Sequence, residues 1–193
     1  MKWKRATLTI IMFGLYLVIS AQAKAQSGYS FGMEYGNADD DITVLQLNFN
    51  RDISGWFDER VVNPGSWGIA TGLALTALNW NHENNNIFGS SVGLKFDYEI
   101  PFFKTRILRP YVEYELGAAL ISETVIGERD LSSVFHFKNQ FGMGFKMRWG
   151  NFFVRVSHLS NGSLIQPNDG IDIHSAGVLL HFNARSASSF MNP

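Results

Sequence analysis

A run of alternating side chains near the end of the chain constrains the fold more than any other feature. In "VFHFKNQFGMGFKMRW", Phe135, Phe137, Phe141, Met143, Phe145, Met147 and Trp149 fall on one face, while His136, Lys138, Gln140, Gly142, Gly144, Lys146 and Arg148 fall on the other. Only Asn139 interrupts the apolar face. Period-two alternation marks a strand with two unlike faces. A soluble sandwich could also hold such a strand with its apolar face inward. Length argues for the membrane: the run is about 15 residues, soluble strands average about five or six, and the tilted strands of transmembrane barrels turn an apolar band outward.

The pattern recurs. Val92, Leu94, Phe96, Tyr98 and Ile100 oppose Gly93, Lys95, Asp97 and Glu99; Leu108, Val112, Tyr114 and Leu116 oppose Tyr111, Glu113, Glu115 and Gly117. Eight segments can be counted, at 28–36, 42–51, 66–78, 87–100, 106–120, 132–149, 151–160 and 172–182. An even count suits closure, so the expected fold class is all-β, an eight-stranded antiparallel transmembrane β-barrel of the outer membrane. The faces opposite the apolar stripes carry Lys, Asp, Glu, Arg, His and Gly, which predicts a lumen of paired charges with glycines making room. Trp67, Trp80, Trp149 and Tyr98 lie near strand ends, where aromatic girdles are expected. Turn-rich pieces at 36–41, 79–86, 122–130 and 161–170 read as extracellular loops, and the longer connection at 52–65 leaves room for a short helical turn.

The N-terminus predicts export. Residues 1–25 have a basic start (Lys2, Lys4, Arg5), an apolar middle from Leu8 to Ile19, and small-x-small sites at Ala21 to Ala23 and Ala23 to Ala25, the pattern of a removed signal peptide. The barrel domain is then 26–182, ending on the aromatic Phe182, with 183–193 as a tail. No later stretch approaches the roughly 20 apolar residues of a spanning helix, so entry into a membrane requires a barrel. The absence of cysteine excludes a disulfide scaffold. A net charge of −1, with no basic run after the leader, gives no footprint for nucleic acid.

Against this background "RVSHLSNGS", Arg155 to Ser163, is anomalous. Side-chain parity puts His158 and Ser160 on the apolar face, after Phe152, Val154 and Val156. On the last segment Asp172 and His174 share a face with Ala176, Val178, Leu180 and Phe182, and antiparallel pairing across the loop brings Asp172 to the Ser160 end. A hydroxyl, an imidazole and a carboxylate therefore gather on the outward face near the rim. Residues i and i+2 stand about 6.6 Å apart along a strand, a gap that a histidine ring and a serine hydroxyl can bridge. The imidazole can then act as general base on Ser160, with the carboxylate fixing its tautomer. Serine and histidine are also ordinary interfacial residues, so composition alone does not decide between these readings.

The string "HLSNGSLIQPNDGID" resembles the signature of the PagL family, outer-membrane lipid A 3-O-deacylases, and the signal peptide and eight strands extend the similarity over nearly the whole mature chain. The resemblance implies His158 as base and Ser160 as nucleophile, with Asn161 and Asn168 where the family places asparagines near the reacting ester, whose amides could support an oxyanion. It places Asp172 where the family typically has a glutamate, an acid shorter by one methylene. It further implies lipid A, within lipopolysaccharide, as substrate, hydrolysis of the ester-linked 3-hydroxyacyl chain at position 3, and no metal or organic cofactor. A lipid in the outer leaflet can present its ester sideways to the barrel wall, so an outward catalytic face needs no cavity through the barrel.

Other features are weaker. His174 lies deeper on the same face as Asp172 and reads as interfacial or substrate-adjacent; His136 and His181 point to the lumen, where they are expected to pair with charges, and His82 falls in a loop. "GSSVG" at 89–93 satisfies the serine hydrolase G-x-S-x-G pattern but precedes a strand, not the helix that the motif requires. "NGS" at 161–163 is a glycosylation sequon with no use in a bacterial outer membrane. His158, His174 and Asp172 lack a recognised metal-ligand spacing. Competing readings are a structural or adhesive barrel and a lipid A acyltransferase using phospholipid as donor. The sequence carries no signal that separates a monomer from a homodimer.

Overall fold

The computed structural model describes residues 28–38, 42–54, 69–83, 85–101 and 107–183. The expected signal peptide, Trp67, most of the 52–65 connection and the tail from residue 184 lie outside the described residues. Among the described residues there are ten strands: β1 (Gly28–Ala38), β2 (Ile42–Asp52), β3 (Ile69–His82), β4 (Asn85–Glu99), β5 (Arg109–Ile121), β6 (Val125–Ile126), β7 (Arg129–Asp130), β8 (Phe135–Lys146), β9 (Gly150–Ser160) and β10 (Ile171–Asn183). Eight of them close a barrel in the order β1-β10-β9-β8-β5-β4-β3-β2, while β6 and β7 form a separate two-stranded hairpin. Closure leaves no edge strand with unpaired backbone groups in lipid.

The eight-stranded barrel agrees with the sequence reading, and three differences have physical causes. Residues 79–82 and 85–86, expected as loop, continue β3 and β4 toward a turn at Glu83. Above the apolar belt the outward positions become polar, so alternation no longer marks the strand; Asn81 Nδ2 donates to Asn86 Oδ1 at 3.0 Å instead. The expected 132–149 segment is shorter at both ends, with β8 running from Phe135 to Lys146. The 122–130 loop contains the β6–β7 hairpin, too short to produce a periodic signal.

Most outward positions carry large apolar side chains, among them Phe31, Met33, Tyr35, Leu94, Phe96, Phe141, Phe145, Phe152 and Val154. Inside, the lower barrel holds the expected ion pairs. Arg155 Nη1 lies 2.6 Å from Glu34 Oε2 and its Nε donates to Glu113; Lys95 lies 2.8 Å from Glu113, and Lys138 2.9 Å from Glu115. Two cationic or amide donors on each of Glu113 and Glu115 offset the cost of burying charge there. Glycines make the room: a Cβ on Gly93 would stand 2.7 Å from Glu115 Oε1, and one on Gly142 2.7 Å from Glu113 Oε1.

The upper lumen departs from that expectation. Ile42, Val44, Leu78, Trp80, Ile87, Ala119, Ile121, Leu159, Ile171 and Ile173 fill it as an apolar plug, which Ile126 and Leu131 of the β5–β8 connection cap. Trp80, expected in an interfacial girdle, is fully buried in this plug. Its position near a strand end suggested the girdle, but its parity with Ala74, Thr76 and Leu78 turns it inward. Trp149 and Tyr98 do face outward.

Candidate active site

The plug fixes the direction of the candidate residues. Leu159 is 1% exposed and sits between His158 and Ser160; Ile171 and Ile173 are equally buried and flank Asp172. Because strand parity is two, burying these three aliphatic residues forces His158, Ser160 and Asp172 outward. A slip of one residue would reverse both faces at once, exposing the aliphatic residues and burying the polar ones.

Pairing then brings the acid to the base. His158 and Asp172 are register partners across β9 and β10, and His158 Nδ1 lies 2.7 Å from Asp172 Oδ1. An ionised carboxylate only accepts, so this contact assigns the proton to Nδ1 and leaves Nε2 as the basic nitrogen. Both side chains are about half exposed, at 49% and 51%. Ser160 ends β9 on the same face, two residues beyond His158 and opposite Phe137 of β8. Gly170, at φ +60°, lets the returning chain pass against the ring: a Cβ there would stand 3.1 Å from His158 Cε1.

The loop from 161 to 170 is held from below and from the side. Asn161 is fully buried, and its Nδ2 donates to the carbonyls of Leu131 at 3.3 Å and Ile165 at 2.9 Å. Its Nδ2 is therefore committed to the carbonyls at the base of the loop. The parity of β9 accounts for this, since Asn161 follows Leu159 inward. Asn168 is differently placed: half-buried, its Oδ1 accepts from the Asn161 backbone N–H at 3.1 Å, which leaves Nδ2 to donate elsewhere.

The β6–β7 hairpin braces the loop, a feature that sequence reading missed. The Asp130 N–H donates to Asp169 Oδ2 at 2.9 Å, and Arg129 Nη1 donates to the Gly170 carbonyl at 3.2 Å. The signal available was "VIGERD", an apolar pair, a glycine turn at φ +59° and a polar pair. Asp169 is thus occupied with the hairpin, while Asp172 faces the imidazole.

Other histidines sort by depth. His136 Nε2 lies 2.6 Å from the Ser133 carbonyl, so its partner is backbone and not a lumenal charge; His181 Nε2 pairs with Asn151 Oδ1 at 2.7 Å. His82 is the last residue of β3 and packs beside Gly127 of the hairpin turn. Ser91 of the "GSSVG" string is buried in the middle of β4, which rules out an exposed nucleophile elbow there. Asn139, the interruption noted in the apolar face, is the register partner of His158 on β8 and accepts from Tyr114 Oη at 2.8 Å.

Below the His158–Asp172 pair the outer wall is hollowed. A groove of about 530 Å³ runs over Val154, Val156 and Ala176, between Tyr35 on one side and Phe141 and Met143 on the other. Small side chains form its floor and large ones its walls. His174 and Asn37 stand at its upper end, one rung below Asp172.

A closed eight-stranded barrel with an apolar outer belt and a charged lower lumen defines an integral outer-membrane barrel protein. The family model described as lipid A 3-O-deacylase (PagL) matches residues 43–181, and the chain belongs to that family. Among curated relatives, the lipid A deacylase PagL of Pseudomonas aeruginosa is 39% identical over 132 residues, 68% of this chain and 72% of that protein. The lipid A deacylase PagL of Bordetella bronchiseptica is 36% identical over 66 residues, 34% of this chain and 37% of that protein. The crystal structure of the outer membrane enzyme PagL superposes with a TM-score of 0.67 at 25% identity, covering 78% of this chain and 97% of that one.

Proposed function

We propose that this chain, an outer-membrane lipid A deacylase, hydrolyses the 3-O-acyl ester of lipid A with Ser160 as nucleophile, His158 as general base and Asp172 as the orienting acid. The observation that carries the reading is the 2.7 Å contact from His158 Nδ1 to Asp172 Oδ1 on the outward face. A barrel wall gains nothing structural from such a pair turned toward lipid, whereas a hydrolase whose substrate lies in the leaflet needs it there.

Each step follows from the atoms present. Ser160 Oγ attacks the ester carbonyl carbon as its proton passes to His158 Nε2, and the Asp172 carboxylate stabilises the imidazolium that forms. The negative charge moves to the former carbonyl oxygen, to which Asn168 Nδ2 donates. Collapse of this intermediate breaks the bond to the sugar oxygen, which takes the proton from His158 and leaves as the free hydroxyl, with the acyl group on Ser160. Water then gives a proton to His158 and attacks the acyl-serine, releasing the fatty acid and restoring the serine hydroxyl. The acyl chain lies in the groove over Val154, Val156 and Ala176, buried against apolar side chains during both steps.

Mass spectrometry of lipid A from cells producing wild type, Ser160→Ala or His158→Ala tests the assignment. Wild type is expected to remove one hydroxy fatty acid, and both variants to leave lipid A intact while still showing the heat-dependent gel shift of a folded barrel. Deacylation by folded Ser160→Ala would refute the nucleophile.

A further inference from the structure

Two polar residues at the top of the groove have no part in these steps. His174 on β10 and Asn37 on β1 are register partners, both exposed on the outer wall. Below them the groove carries the side chains of Val154, Val156, Ala176, Phe141 and Met143, with Tyr35 at one side. We propose that His174, with Asn37 beside it, is a specificity-determining residue that hydrogen-bonds a hydroxyl carried near the carboxyl end of the acyl chain. The inference rests on the deacylase reading and on the acyl chain descending through this groove.

Position supports the assignment. His174 is the register partner of Val156, which lies four residues, or about 13 Å of strand, from Ser160. A serine side chain, the ester, the first carbons of the chain and an imidazole together span that interval. A hydroxyl two carbons from the ester carbonyl therefore arrives between Ser160 and the apolar floor, within reach of the His174 imidazole. The next pair down, Val154 and Ala176, is aliphatic, with the Tyr35 hydroxyl beside Ala176. An imidazole and an amide each donate and accept, so either can meet a hydroxyl without a fixed orientation of its proton. An acyl chain without the hydroxyl would cover these groups and leave them unpaired in the groove, which disfavours it. The same contact would be held through acylation and deacylation, since the chain stays in the groove while its carboxyl end changes partner.

The experiment compares two glucosamine 3-O-acyl esters of equal chain length, one 3-hydroxylated and one plain, with purified full-length protein in detergent micelles. Wild type is expected to favour the hydroxylated ester by about five- to tenfold in kcat/KM, the scale of one neutral hydrogen bond. His174→Leu should bring that ratio close to one, and His174→Gln, which keeps a donor and an acceptor, should restore most of it. Equal ratios for wild type and His174→Leu would overturn the inference while leaving the deacylase reading intact. Failure of wild type to hydrolyse either ester would overturn both.

Discussion

Replacing Asp172 by asparagine isolates the charge from the shape of the candidate acid. The carboxylate sits 2.7 Å from His158 Nδ1, and both side chains are about half exposed, at 49% and 51%. A hydrogen bond to a charged group is worth about 1.5–3 kcal/mol. Partial exposure screens the pair, which places the loss at the lower end, about 1.5–2 kcal/mol. In rate that is roughly a 10- to 30-fold fall, far less than the roughly 10⁴-fold loss when the buried aspartate of a serine protease is neutralised. Asp172→Glu keeps the charge and adds one methylene, so its rate should stay within about threefold of wild type. The assay is the initial rate of fatty acid release by purified protein in detergent, with the gel shift reporting the fold. An Asp172→Asn variant at full rate would refute the assignment, and a collapse in Asp169→Asn beside it would move the role to that residue.

Three further substitutions test the surroundings. Leu159→Ala leaves a hole in the plug beneath the site and should cost about 2–4 kcal/mol of stability, read from urea unfolding in micelles. Gly170→Ala places a Cβ 3.1 Å from the His158 ring at a positive φ, so the deacylation rate should fall about 10- to 100-fold through displacement of the imidazole, while the barrel still folds. Arg155→Met strands Glu34 in the lumen and leaves Glu113 with Lys95 alone, and should destabilise the barrel by about 3–5 kcal/mol, lowering the temperature of its gel shift.

Much of this was legible in the sequence because a barrel wall in lipid imposes strict alternation. Phe141, Met143 and Phe145 can face only one way, and the same parity assigns His158, Ser160 and Asp172 to one face. What alternation could not supply was anything above the membrane, where both faces of a strand meet other constraints. There Asn79 to His82 looked like loop though they are strand, and Trp80 looked interfacial though it is core. Asn161 is a related case: its spacing from Ser160 matches a motif, but only the plug below it shows which way its amide turns. The bracing by Arg129 and Asp130 joins residues about 40 positions apart and left no local trace.

The same boundary explains why a polar site can exist on a lipid-facing wall at all. On β9 the lower positions follow membrane logic, with Arg155 and Ser157 inside and Val154 and Val156 outside. One rung higher the logic inverts, with Leu159 inside and His158 and Ser160 outside. β10 changes over between Ser175 and Ile173, and β2 between Gln46 and Val44. These positions are linked around the wall, since Asn37 pairs with both His174 and Thr43, and Val44 pairs with Trp80. The inversion is therefore a level of the barrel, the height at which the surroundings change from acyl chains to hydrated headgroups. A hydrolase of an embedded ester needs apolar wall for the chain it removes and water for the bond it breaks. His158 and Ser160 sit on the first rung where both are within reach, and moving the cluster down one rung would place a carboxylate in hydrocarbon, at a cost that grows with depth.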